Sequence, residues 1–81
     1  SGDVPSEEEL LTQLAPLVKG RKRVFLVISH APTLTPQQVY ERLFKVIGAL
    51  WYREGAKGME SAPPIPLKRS WGVHVAIFNR T

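Results

Sequence analysis

The feature that most constrains this chain is a run of five apolar residues, Val24-Phe25-Leu26-Val27-Ile28. It follows directly on Arg21-Lys22-Arg23 and closes with Ser29, His30, Ala31 and Pro32. The run is mostly β-branched or aromatic, too short for a helix, and bounded by charge and proline. It predicts a strand over Lys22–Ser29, buried on both faces. A chain of 81 residues has room for one domain and one core, and it holds no cysteine to staple that core. Everything else must therefore cover this strand.

Two helices are available to do so. Ser6-Glu7-Glu8-Glu9 is a capping box, and three carboxylates in the first turn suit the positive end of a helix dipole. Leu10, Leu11, Leu14, Leu17 and Val18 then recur at helical spacing. Pro16 lacks an amide proton and crowds the preceding turn, which predicts a kink or an end near Ala15.

The second helix is predicted from Pro36 to about Arg53, with Thr35 as N-cap and Gln38 closing a second capping box. At 1.5 Å per residue it is roughly 27 Å long. Val39, Tyr40, Leu43, Phe44, Val46, Ile47, Leu50 and Trp51 form its apolar face, and Gln38, Glu41, Arg42, Lys45, Ala49, Tyr52 and Arg53 the other.

Residues 54–70 are rich in Gly and Pro and have no period, which predicts a long loop with at most a short edge strand near Leu67–Arg69. Trp71–Phe78 alternates as the last strand, with Trp71, Val73, Val75 and Ile77 on one side and Gly72, His74, Ala76 and Phe78 on the other. The fold class expected is α+β, in the order α-β-α-(loop or short β)-β. Two helices pack on one face of a sheet of two or three strands, and a third strand is favoured because two alone are marginal. Residues 1–5 read as a tag remnant or flexible N-terminus, and residues 6–81 as one domain.

Charge supplies the leading functional signal. Residues 1–18 carry Asp3, Glu7, Glu8 and Glu9 and no cation, whereas residues 19–81 hold all 11 Lys and Arg against three Glu. Such a body attracts polyanions. Lys19, Arg21, Lys22 and Arg23 precede or open the first strand. Arg42, Lys45 and Arg53 line the polar helix face, and Lys57, Lys68 and Arg69 fall in the long loop. Tyr52 lies near Lys45 on the helix and Trp71 follows Arg69, so both are placed to stack on unpaired bases. These twelve residues are the expected nucleic-acid site, for RNA or single-stranded DNA rather than a specific duplex, since no helix carries the Arg and Asn spacing of a major-groove reader.

Two short motifs add to this. Gly55-Ala56-Lys57-Gly58 resembles the backbone-clamping GxxG loop of KH domains over those four residues; Pro63-Pro64-Ile65-Pro66 follows where that family has a helix. Pro63-Pro64-Ile65-Pro66-Leu67-Lys68 resembles an SH3 ligand, with P-x-x-P and a cation beyond it. The plain readings are a helix-stopping turn and a stiff connector that blocks edge pairing.

Enzyme chemistry is not indicated. His30 and His74, beside Lys22 or Arg23, would suit acid–base attack on a ribose hydroxyl if the two strands were neighbours. With no cysteine, and Asp3 the sole aspartate, no triad and no metal-ligand spacing is present, so neither cofactor nor metal is expected. No apolar run is long enough to span a membrane, so no membrane partner is expected and an intracellular place, cytoplasmic or nuclear, is the expectation. The alternative function is a protein-interaction or assembly module using the second helix, an aromatic patch or the proline loop. A homodimer is also conceivable there, through strand addition at an exposed last strand.

Overall fold

In the computed structural model of the chain, residues 4–29 and 33–81 are described. The order is α1 (Glu7–Val18), β1 (Arg23–Ile28), α2 (Pro36–Arg53), β2 (Met59–Pro66) and β3 (His74–Arg80). Residues 1–3 of the remnant or flexible N-terminus expected over residues 1–5, together with His30, Ala31 and Pro32, lie outside the described residues.

The helix starts follow local chemistry. Ser6 accepts from the Glu9 amide and Glu9 reaches back to the Ser6 amide, and Thr35 and Gln38 do the same for α2. α1 does not stop near Ala15. It carries Pro16 through to Val18, and the Lys19 amide bonds to Ala15. A proline removes one amide bond, and the packing of Val18 in the core holds the last turn in place. α2 ends in a Schellman motif: Gly55 bonds to Tyr52 and Ala56 to Trp51, with Gly55 at φ 89°.

The sheet is antiparallel, in the order β1-β3-β2. The favoured third strand is present, but it runs over Met59–Pro66 and is longer than expected, and Leu67–Arg69 belongs to the turn before β3. The prolines hid its extent, because a proline-rich segment reads as a connector. β2 accommodates them at an edge, with a register break between Ala62 and Ile65. β3 starts at His74 rather than Trp71, and it is the middle strand, so the expected strand addition at an exposed last strand does not apply.

Both helices lie on one face. Trp51, Phe78, Ile47 and Val46 are the largest fully buried side chains, and Ala76, Leu50, Tyr40 and Val18 complete the core. Tyr40 stacks on Phe78 at 5.4 Å and hydrogen-bonds Ser61 of β2. The Trp51 indole donates to the Val18 carbonyl across the helix pair.

The other sheet face is uncovered. Phe25, Val27 and Ile65 are 59, 64 and 63% exposed. β1 is therefore not buried on both faces. Val24, Leu26 and Ile28 turn toward the helices and Phe25 and Val27 away from them. The molecule is a flat plate, 37 × 32 × 17 Å, which is the thickness of one helix layer on one sheet.

Candidate nucleic-acid interface

The register sorts the cations by end. Arg23 pairs with Asn79 and Met59 with Arg80, while Pro66 and Ile28 both pair with His74. The start of β1, the start of β2 and the end of β3 therefore share one end of the sheet. The Lys57 amide bonds to Thr81 there. The C-terminus of α2 arrives at the same end, because Glu54 contacts both Gly20 and Arg80.

Lys19, Arg21, Lys22, Arg23, Arg53 and Lys57 are all exposed at this end, and Tyr52 is exposed beside them. Among the described residues the one ion pair is Arg80 with Glu54, at 3.2 Å. Arg23 donates from its Nε to Asn79 Oδ1 at 2.7 Å, a neutral partner, with Glu60 in the same row beyond Asn79. Like charges gathered this way cost stability through mutual repulsion. They also raise the local potential for an anion.

The other five expected residues split away. Lys68, Arg69 and Trp71 occupy the β2–β3 turn at the far end, about 17 Å along the strands at 3.4 Å per residue. Arg42 donates to the Pro5 carbonyl near the start of α1, and Lys45 lies on the same stretch of α2. Both line an open groove of about 900 Å³ between α1 and α2 that also contains Glu7 and Glu41, so its charge is mixed. Trp71 is fully exposed.

His74 sits on the helix face opposite Ile28, five pairs from Arg23, with its Nδ1 buried and unpartnered. His74 and Arg23 therefore share no site; His30, the other expected member, lies outside the described residues. Gly55–Gly58 is not a clamp before a helix. It stops α2 and opens β2, with Gly58 bonding to Thr81. The proline segment is sheet edge rather than a free polyproline ligand. Among the described residues, no cluster of His, Asp or Glu could hold a metal, and no helix is long and apolar enough to cross a membrane.

Phe25, Glu54 and Arg80 enter the site although nothing in the sequence singles them out. A continuous apolar run hides which of its residues face solvent, and an ion pair between residues 54 and 80 has no local signature. Comparison with protein-family models, curated proteins and solved structures finds no match, so the reading rests on the residues themselves.

Proposed function

We propose that this chain is a non-enzymatic nucleic-acid-binding domain that takes single-stranded RNA or DNA at the basic end of its sheet. The observation that carries this reading is the convergence of six exposed cations from the α1–β1 link, the start of β1, the end of α2 and the α2–β2 link. Each cation that meets a phosphate releases counterions. Tyr52 lies among these cations, and Phe25 projects from the same sheet face as Arg23, two residues along β1. Both rings are open for a base to stack on. Lys68, Arg69 and Trp71 belong to a separate surface in this reading.

The test is a titration of labelled single-stranded RNA and DNA at low and at physiological salt. Log affinity should fall linearly with log salt, with a slope of about 0.7 per phosphate contact. Arg21→Gln with Lys22→Gln should weaken binding and shallow that slope by about one to two. Lys68→Gln with Arg69→Gln should change little. No binding at low salt, or an equal loss in both double variants, overturns the assignment.

The uncovered apolar face favours a second reading, a protein-interaction or assembly module. Phe25, Val27 and Ile65 would be its anchors, rather than the second helix or the proline segment. Affinity for such a partner would respond weakly to salt.

A further inference from the structure

The two edges of the sheet are not alike. The Arg80 amide bonds to the Lys22 carbonyl, so by antiparallel alternation residues 22, 24, 26 and 28 point their backbone groups at β3. Arg23, Phe25 and Val27 point theirs at the free edge, where no backbone group among the described residues meets them. On β2, Ile65 pairs with Val75 and the Leu67 amide bonds to Val73, so Pro64 and Pro66 occupy the outward-pointing positions. Proline has no amide proton, so the second half of the β2 edge is blocked, while Met59 and Ser61 point outward in its first half. The β1 edge carries Arg-Val-Phe-Leu-Val-Ile with no proline and no bulge.

We propose that the β1 edge pairs with the β1 edge of a second copy of this chain, antiparallel, about a two-fold axis at Leu26. Backbone direction allows only registers that set odd residues opposite odd ones. The register centred on Leu26 places Val24 against Ile28, Phe25 against Val27 and Leu26 against itself, and it sets Arg23 opposite Ser29. A shift to centre on Phe25 would put Arg23 against Val27 and Lys22 against Ile28, charge against apolar side chain.

The charges also agree. Tyr40 and Gly48 of α2 reach Ser61 and Met59 of β2, while Arg42, on the opposite side of the helix, reaches Pro5 before α1. α1 therefore flanks α2 on the β1 side. It runs antiparallel to β1, so Glu7, Glu8 and Glu9 lie toward the end where β1 finishes. Two-fold pairing brings Arg21, Lys22 and Arg23 of the second copy to that end, and the reverse holds by symmetry. The product is a six-stranded sheet, β2-β3-β1-β1-β3-β2, with all helices on one face. Both of its outer edges carry the prolines, which leave only the short first half of β2 open to further pairing.

Sedimentation equilibrium on the 81-residue chain, from about 5 to 500 μM, tests this together with amide exchange. A concentration-dependent dimer is expected, with the Phe25 and Val27 amides protected in it. Val27→Pro removes an outward amide without costing a β3 bond, and Val27→Lys places a charge at the edge. Both should raise the dissociation constant at least tenfold while circular dichroism stays unchanged. Ile65→Ser, on the uncovered face but remote from β1, should leave the dimer intact. A chain monomeric throughout that range overturns the proposal. So does a dimer untouched by both Val27 variants, or one whose Phe25 and Val27 amides exchange freely. Nucleic-acid binding is a separate measurement, and its failure leaves this outcome readable.

Discussion

Glu54 and Arg80 are joined twice: Arg80 Nη1 bonds to Glu54 Oε1 at 3.2 Å, and Nη2 bonds to the Glu54 carbonyl at 3.0 Å. Glu54 Oε1 also accepts from the Gly20 amide at 3.0 Å. One carboxylate thus ties the end of α2 to the α1–β1 link and to the last turn of the ladder. It is the one carboxylate in an ion pair among the described residues at this end, where exposed Glu60 also lies opposite Asn79.

Removing the Glu54 carboxylate should loosen the basic end. Glu54→Ala removes the carboxylate from Arg80 Nη1 and from the Gly20 amide while the Nη2 bond to the backbone carbonyl remains, and should lower unfolding free energy by about 1–3 kcal/mol. Glu54→Gln keeps an acceptor for Gly20 and should cost less. Urea titration of the two variants checks the order, and a loss at Gln equal to that at Ala would show that the charge alone matters.

The two tryptophans should report separately. Trp51 is buried with its indole bonded to Val18, and Trp71 is fully exposed. Iodide should quench only the Trp71 emission. Trp71→Phe should leave stability within about 0.5 kcal/mol. Trp51→Phe, which loses volume and a bond, should cost about 1–3 kcal/mol.

Gly55 and Gly58 should differ although each flanks the same short link. Gly55 sits at φ 89°, where a side chain is strained, so Gly55→Ala should cost about 1 kcal/mol. A Cβ on Gly58 would lie 2.9 Å from the Thr81 hydroxyl, the far end of a side chain that can rotate away. Gly58→Ala should cost clearly less. Thermal melting of the pair checks this, since about 1 kcal/mol moves the midpoint of so small a domain by roughly 4–8 °C.

Proline scanning of β1 should alternate. Leu26→Pro deletes an amide aimed at β3 and should cost about 3 kcal/mol or more. Val27→Pro deletes one aimed at solvent and should leave the domain folded. Equal damage at both sites would show that the β1 edge is not free.

The sequence alone determined the elements that depend on neighbours three and four residues away. α2 runs from Pro36 to Arg53 as its capping box and apolar arc predict, and the alternation of His74, Ala76 and Phe78 against Val75 and Ile77 holds in β3. Two helices on one face of a small antiparallel sheet also follow, because apolar stripes this narrow have one way to be covered. Only the tertiary structure decided the strand order. Pairing β1 with β3 joins residues 46 to 56 positions apart, and no local pattern encodes that choice. That order turned the five-residue apolar run from an expected buried strand into an edge with one open face. It made a strand of Met59–Pro66 by giving Glu60, Ala62 and Ile65 a partner strand to bond to. It also divided the candidate cations, gathering six at one end and leaving Lys68 and Arg69 at the other, since a side chain's place along a sheet is set by register and not by composition.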